Sequence, residues 1–289
     1  MGYISALYHR RNNKVIVWER INEQRVVRYY EPEFYFYVPS KTGTSYNIYG
    51  ETVRKFDFDT REEFDEAIQR CKEKGIRTFE EDIPIEIRTL STHYHDSPAP
   101  ALTITFFDIE VAYDKNIGFA GIENPYAPIN SVAMYHVHQN KYVVLVVQPT
   151  SDKAIYGKNG KRFGLAGDEF YKILNSIAPL DKNIEVFFCK DEKELLLKFL
   201  DEIEESDVIS GYNSDFFDIP YVGKRLEKIG QSAFKRLSFR EAPAPRYRSV
   251  EKKGWGKPNE TLDIYGRIKA DYLDLYKKYE VAEKPSYKL

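Results

Sequence analysis

The sequence predicts an α/β protein (α+β over the whole chain), with a small α+β domain at residues 1–96 and a larger mixed-sheet domain at 97–289. Three observations favour this fold class. The chain has 289 residues, which is enough for two domains. Short runs of β-branched and aromatic residues dominate its first third. In the remainder, apolar runs typical of strands alternate with helical patterns.

The pattern of the first third predicts four strands and one helix. The segments ISALYHR, KVIVWERI, RVVRYYE and FYFYVP are separated by polar breaks and indicate a meander. Thr60 and Glu63 form the pattern of a capping box ahead of an apolar stripe at helical spacing, which Gly75 ends. The stretch THYHDSPAPA follows, and we expect the domain boundary near Asp96.

Three strands open the second region. They are ALTITFFDIEVAY, SVAMYHVH and KYVVLVVQP, and the first is so apolar that we expect burial on both faces. A tight turn is expected at Asn140-Lys141. The pattern then predicts helix, strand, helix, strand and helix over GDEFYKILNSIAP, IEVFFCK, DEKELLLKFLDEIEES, DVISGYN and DIPYVGKRLEKIG. RYRSVE and ETLDIYG form a long hairpin, and DYLDLYKKY is a helix capped by Asp271.

Composition and charge exclude several classes of protein. The net charge is −2, so contact with nucleic acid must come from local basic patches. Two cysteines, Cys71 and Cys189, are too few for a disulfide framework or a four-cysteine zinc site. No apolar run is long enough to span a membrane, and the N-terminus lacks the pattern of a secretory signal. We therefore expect a cytoplasmic protein without a membrane partner.

The informative feature is an acidic pair inside the apolar segment FFDIEV. Asp108 and Glu110 are two residues apart, so on a strand both carboxylates project from the same face. Two carboxylates in a low-dielectric place repel each other unless cations neutralise them. Oxygen ligands without histidine or cysteine favour Mg²⁺ or Mn²⁺. The alternative is that strand curvature brings one of the two acids to the surface.

A second acidic residue of interest lies in GYNSDFFDIPY. Asp218 is at the junction of a predicted strand and helix, where a carboxylate benefits from the exposed N–H groups of the helix end. A purely structural helix cap is the alternative explanation. In a mixed sheet such junctions are also where binding sites form. Asp108, Glu110 and Asp218 are therefore predicted to hold one or two divalent ions.

These segments resemble the first two exonuclease motifs of family B DNA polymerases. FDIE is followed about a hundred residues later by N-x-x-x-F-D-I-P-Y, which includes Asn213 and Phe217. Within that family the chain is most similar to the replicative enzymes of T-even-like phages. The similarity extends through DYLDLYKKY and PSYKL, and more loosely through YYEPEFYFYVP and YNIYG near the N-terminus.

The resemblance implies a ribonuclease H-like 3′→5′ proofreading domain behind an N-terminal domain with an RNA-recognition-like fold. It assigns Asp108, Glu110 and Asp218 to catalysis with two Mg²⁺ or Mn²⁺ ions, acting on the 3′ end of single-stranded DNA. Phe119 occupies the position of an aromatic residue that stacks on the unpaired 3′ end. Ordinary loop packing is the alternative for Phe119. Asn213 and Phe217 are expected to contact the nucleic acid as well.

The hairpin from Arg246 to Gly266 resembles the family's strand-separating β-hairpin. Its basic residues suit a phosphate track, and Trp255 at the tip could wedge against a base. The basic residues are Arg246, Arg248, Lys252, Lys253 and Lys257. A solvated basic loop is the alternative.

The sequence also departs from the family pattern. The third exonuclease motif of the family, Y-x-x-x-D, does not occur in the sequence. We therefore expect a fragment whose isolated exonuclease is weak or inactive, with the C-terminal polymerase portion supplied by the same or a separate chain. Expected partners are primer-template DNA and, through the full enzyme, a sliding clamp in the cytoplasm of a bacterial host. The alternative function is a non-catalytic nucleic-acid-binding or assembly module of a split polymerase.

Overall fold

The computed structural model describes residues 2–148, 155–156, 162–163, 183–251 and 259–280. The chain divides into two compact units, Met1–Ala101 and Leu102–Leu289. The division falls five residues beyond the expected boundary at Asp96. The helix that precedes it was not predicted from the sequence. Both units combine strands and helices, so the predicted α/β class is confirmed.

The first unit contains two antiparallel sheets. Their strands are β1 (Gly2–His9), β2 (Lys14–Ile21), β3 (Gln24–Tyr30), β4 (Phe34–Pro39), β5 (Ser45–Tyr46) and β6 (Thr52–Phe58). One sheet has the order β1-β2-β3 and the other has the order β4-β6-β5. The meander is confirmed for the first three strands but is wrong for the fourth. β4 pairs with β6, a later strand that the sequence pattern did not reveal.

Two helices accompany these sheets, α1 (Arg61–Glu73) and α2 (Ile85–Tyr94). The capping box of α1 is confirmed by two hydrogen bonds. Thr60 Oγ1 accepts from the Glu63 N–H at 3.1 Å, and the Glu63 carboxylate accepts from the Thr60 N–H at 3.3 Å. Gly75 follows α1 with a left-handed φ of +64°. Helix α2 was missed because its apolar stripe is interrupted by Arg88, which is buried and donates to the Tyr35 carbonyl at 2.6 Å.

The described strands of the second unit are β7 (Ile104–Val111), β8 (Ile129–His136), β9 (Lys141–Val147), β10 (Ile155–Tyr156), β11 (Arg162–Phe163), β12 (Ile184–Cys189), β13 (Val208–Gly211), β14 (Arg246–Val250), β15 (Asn259–Asp263) and β16 (Ile268–Asp271). The unit is built on a six-stranded mixed sheet of order β12-β9-β8-β7-β13-β16. β7, β8 and β9 are antiparallel, whereas β13 runs parallel to both β7 and β16. Instead of a tight turn, a short 3-10 turn joins β8 to β9, and Asn140 closes it with a φ of +48°.

The central strand β7 is buried on one face only. Thr105, Phe107 and Ile109 are buried, whereas Phe106, Asp108 and Glu110 alternate with them on the exposed face. The expectation of burial on both faces is therefore wrong. Phe106 lies on the exposed face and is itself 37% exposed. Its apolar side chain is the reason that the sequence pattern predicted burial on both faces.

The described helices of the second unit are α3 (Glu192–Glu202), α4 (Asp218–Ile229), α5 (Gln231–Lys235) and α6 (Tyr272–Tyr279). Asp191 caps α3 by accepting from the Glu194 N–H at 2.9 Å, as predicted, and α4 ends at Gly230 as predicted. Helix α5 and strand β16 were not predicted. The helix predicted at GDEFYKILNSIAP lies outside the described residues. No helix in the described part of the chain is both long and apolar enough to cross a membrane.

Candidate functional site

The site begins where β13 ends beside the middle of β7. The two strands pair in parallel through Ser210 and Phe106, and β13 stops one residue later at Gly211. A Cβ atom on Gly211 would lie 2.7 Å from the Phe107 carbonyl oxygen and 2.8 Å from Ser214 Cβ. Only glycine allows the chain to turn this close to β7.

A tight turn then leads from β13 into α4. Asn213 adopts a left-handed φ of +59°, which asparagine tolerates better than most residues. Its carbonyl accepts from the N–H groups of Phe216 and Phe217, both at 3.2 Å. The buried Ser214 hydroxyl donates to the Gly211 carbonyl at 3.2 Å, and the Ser214 carbonyl accepts from the Ile219 N–H at 2.9 Å. These bonds fix where α4 begins.

Asp218, the first residue of α4, reaches across to β7. Its Oδ1 atom accepts from the Ile109 backbone N–H at 3.2 Å, at a point where β13 no longer pairs with β7. Asp218 lies where a strand is followed by a helix, as predicted. The N-cap position is occupied by Phe217, so a purely structural helix cap does not describe the Asp218 carboxylate. The Asp218 side chain therefore lies against the backbone between Asp108 and Glu110.

The electrostatics of the site follow from this burial. Asp218 is only 4% exposed, and burial, followed by the nearby charge of Asp108, raises its pKa to about 7. Asp108 lies on the exposed face of β7, yet the surrounding protein removes enough water to raise the pKa of its carboxyl as well. In the described part of the chain, none of the three carboxylates forms an ion pair with lysine or arginine. Among the described residues, Asp108 and Asp218 thus form an acidic pair that no lysine or arginine neutralises.

Glu110 shares the exposed face of β7 with Asp108. Among the described residues, no group of three histidine, cysteine, aspartate or glutamate side chains is positioned to hold a metal ion. The Asp218 carboxylate lies beside the strand that carries Asp108 and Glu110, and the charge of Asp108 is near enough to help raise the pKa of Asp218. The donor set consists only of carboxylate oxygens around a buried, unneutralised charge, and this chemistry fits Mg²⁺ or Mn²⁺.

Phe119 lies in the loop after β7 and is 90% exposed. Its ring centroid is 4.8 Å from that of Tyr113, which is itself 55% exposed. Backbone and side-chain bonds shape the loop around them, including a Gly118 N–H bond to the Asp114 carbonyl at 2.7 Å. The two rings form an exposed aromatic surface, and packing into the core does not account for Phe119.

The two motif residues near Asp218 have different surroundings. Asn213 is exposed, and its side chain faces solvent at the start of the turn. Phe217 is partly buried, with its ring 5.5 Å from the ring of Tyr221. Packing against the core therefore accounts for much of the Phe217 ring.

The predicted hairpin is formed by β14 and β15, which pair antiparallel. Arg246 is exposed at its base. Arg248 instead binds Asp263 through two guanidinium nitrogens at 3.0 to 3.2 Å, so its charge is largely committed to the hairpin itself. The predicted tip residues Lys252, Lys253, Trp255 and Lys257 lie outside the described residues.

The sequence pattern predicted only a helix-capping role for Asp271, which is correct but incomplete. Asp271 caps α6 by accepting from the Leu273 N–H at 2.8 Å. Its carboxylate also accepts from the N–H groups of Asn213 and Asp215 in the turn before α4. These contacts join positions 58 and 56 residues apart, and the sequence carries no local signal for them.

Comparison with known proteins defines the class to which this fold and site belong. The family model described as "DNA polymerase family B, exonuclease domain" matches residues 67–289, so the chain belongs to this family. The six-stranded mixed sheet with its helices is consistent with a ribonuclease H-like exonuclease domain, and the predicted fold is confirmed.

The individual relatives are DNA polymerases from phages and other organisms. The DNA-directed DNA polymerase of Escherichia phage RB69 is 27% identical over 271 residues, covering 90% of this chain and 29% of that protein. That of Enterobacteria phage T4 is 32% identical over 113 residues, covering 38% and 12%. The DNA polymerase delta catalytic subunit of Caenorhabditis elegans is 30% identical over 108 residues, covering 36% and 10%. The chain therefore spans less than a third of the length of these curated relatives. The expected resemblance to family B DNA polymerases is confirmed.

Proposed function

We propose that this chain carries the metal-dependent 3′→5′ exonuclease site of a replicative family B DNA polymerase. The observation that carries the proposal is the bond from the Ile109 N–H to the Asp218 carboxylate. It joins the two segments that resemble exonuclease motifs and sets a buried acid beside Asp108. The family membership of residues 67–289 supports the same activity.

In this proposal Asp108, Glu110 and Asp218 are the catalytic and metal-binding residues. These three side chains would hold the two Mg²⁺ or Mn²⁺ ions, with Asp108 and Glu110 contributing from the same face of β7. The ions, when bound, would activate a water and stabilise charge on the phosphate and the leaving oxygen. The carboxylates orient the ion, and the product is a nucleoside 5′-monophosphate.

The proposed substrate is the 3′ end of single-stranded DNA. Phe119 offers a base an exposed aromatic face, and stacking of this kind contributes roughly 1–3 kcal/mol without sequence preference. Asn213 and Phe217 lie at the turn that leads to Asp218, where Asn213 is open to solvent. Arg246 adds exposed positive charge on the hairpin, which suits contact with a phosphate backbone.

We place the site in proofreading during DNA replication. A polymerase portion, on the same or a separate chain, would supply primer-template DNA and any contact with a sliding clamp in a bacterial cytoplasm. The sequence has no Y-x-x-x-D motif, so a fourth carboxylate of the usual type is not available within it. We therefore propose that the chain by itself digests DNA slowly.

The test is degradation of a 5′-labelled single-stranded oligonucleotide with Mg²⁺ or Mn²⁺, comparing wild type with Asp108→Asn. Removal of a ligand carboxylate should lower the rate by more than roughly 100-fold, the upper loss seen for outer-shell partners of metal ligands. Glu185→Gln is the matched control, because Glu185 is an acid on the edge strand of the same sheet, paired with Lys141. Digestion by Asp108→Asn at the same measurable rate as wild type would exclude the proposed site.

The second candidate is a non-catalytic module that binds nucleic acid or docks on a polymerase chain. It is favoured by the lack, among the described residues, of three acids positioned around one metal ion. Under this alternative neither wild type nor Asp108→Asn digests DNA with Mn²⁺, while both bind single-stranded DNA equally. Restoration of digestion by an added C-terminal polymerase chain would return the assignment to the exonuclease.

A further inference from the structure

Asp271 is a buried acid at the boundary between β16 and α6, 6% exposed. Its carboxylate accepts three backbone N–H bonds, from Leu273 at 2.8 Å, Asp215 at 3.0 Å and Asn213 at 3.1 Å. The Leu273 bond caps α6, but the other two bonds belong to the turn that precedes α4. One side chain therefore holds the end of β16 and this turn together.

The turn held by Asp271 is the one that delivers Asp218. β13 and β16 are parallel neighbours, and Gly211 pairs with Asp271 at the end of their ladder. From Gly211 the chain passes through Asn213 and Asp215 to the start of α4, and it cannot rotate away while two of its N–H groups are bound. An ion pair between Asp215 and Lys269 of β16 at 3.2 Å reinforces the same junction.

We infer that Asp271 is a positioning residue for the exonuclease, fixing the turn at residues 212–217 so that the Asp218 carboxylate meets β7 beside Asp108. This inference rests on the proposed function. Asp271 acts through the backbone, without touching the reacting atoms itself. Positional errors near 1 Å can lower a rate on the order of 100-fold, so a clamp at this turn has a measurable effect.

The chemistry of the three bonds makes the clamp specific for a carboxylate. Oδ1 accepts from Asn213 and Leu273, whereas Oδ2 accepts from Asp215. In Asp271→Asn the amide oxygen can keep the first two bonds, but the NH₂ group would face the Asp215 N–H and can accept nothing from it. Asp271→Ala loses all three bonds. The two variants therefore form a graded series.

The experiment compares wild type, Asp271→Asn and Asp271→Ala with Asp191→Ala as the matched control. Asp191 also caps a helix, α3, through one backbone bond, but it is exposed and contacts neither the turn nor β7. The structural readout is hydrogen exchange of the Ile109 amide, normalised to amides in the ladder between β8 and β9. That ladder reports global opening, whereas Ile109 reports the Asp218 contact.

Asp271→Ala should accelerate exchange of the Ile109 amide about tenfold or more relative to the ladder, with Asp271→Asn between it and wild type. Mn²⁺ affinity and kcat should fall in the same order while KM for the oligonucleotide changes by less than about threefold. Asp191→Ala should resemble wild type in all three measurements.

Unchanged relative exchange at Ile109 in Asp271→Ala would overturn the inference even if the wild type digests DNA. A wild type without nuclease activity would count against the proposed function, and the exchange ratio would still decide whether Asp271 positions Asp218.

Discussion

The Asp218 carboxylate accepts a hydrogen bond from the backbone N–H of Ile109, 109 residues earlier in the chain, at 3.2 Å. This bond closes the edge of β7 where β13 has turned away, and it brings an acid from a helix start to the strand that carries Asp108 and Glu110. An N–H donor partly compensates the carboxylate but does not neutralise it. When Asp218 is ionised, the site therefore carries a buried negative charge that a bound cation can neutralise.

The stability of the metal-free protein should depend on the protonation of Asp218. Because its pKa is about 7 in the folded state against 3.8 when unperturbed, the folded state binds more protons between these values. The free energy of unfolding should then fall as pH rises from about 4 to about 7, and level off above it. Asp218→Asn removes this dependence, and at pH 8 it should be more stable than wild type by on the order of a few kcal/mol.

Urea denaturation in EDTA from pH 4 to pH 8 measures this effect, with Glu185→Gln as a surface control. Addition of Mn²⁺ at pH 8 should stabilise the wild type and leave Asp218→Asn nearly unchanged. If the free energy of unfolding of the wild type instead rises between pH 4 and pH 7, relative to that of Asp218→Asn, then the pKa of Asp218 is not raised.

Gly211→Ala should destabilise the second unit and displace the site. The added Cβ would meet the Phe107 carbonyl oxygen at 2.7 Å, and neither strand can yield without breaking their ladder. We expect a loss of about 1–3 kcal/mol in the free energy of unfolding. Thermal denaturation measures the loss, and Gly121→Ala is the control, since its new Cβ would meet only the flexible end of Glu123. A Gly211→Ala protein as stable as Gly121→Ala would contradict the close approach.

Phe119→Ala should weaken single-stranded DNA binding without affecting the fold. The ring is 90% exposed, so its removal leaves no cavity, whereas loss of one stacked base costs roughly tenfold in affinity. Fluorescence anisotropy with a labelled oligonucleotide measures the change. Ile117→Ala, in the same loop and 63% exposed, controls for loss of apolar surface without an aromatic face. Equal effects of the two substitutions would count against stacking.

Asp263→Asn should strengthen the electrostatic part of DNA binding by releasing Arg248. The wild-type Arg248 is held by Asp263, so its guanidinium contributes little to a phosphate track. After the substitution, the slope of log affinity against log salt should steepen by about one charge. Arg248→Ala should change the slope less than Arg246→Ala does. Binding titrations over a KCl series test both statements, and a slope unaffected by Asp263→Asn would show that this hairpin lies away from DNA.

Local patterns predicted much of the fold because they encode short-range physics. The capping box at Thr60, the Asp191 cap and the glycine end of α4 all depend on residues three or four positions apart, and all are confirmed. Strand β16 escaped prediction for the opposite reason. β16 is four residues long and exists because it pairs with β13, a partner 60 residues earlier that no local pattern identifies.

The sequence by itself determined the family of this protein, the two acidic segments and the shared face of Asp108 and Glu110, because strand periodicity and motif spacing are properties of the linear chain. Only the tertiary structure decided that β7 is open on one face, that Asp218 binds the edge of that strand, and that Asp271 holds the intervening turn. These contacts join residues more than fifty positions apart. They arise because buried backbone N–H groups at the end of a strand ladder must find acceptors, and the nearest acceptors are set by packing and not by sequence neighbours.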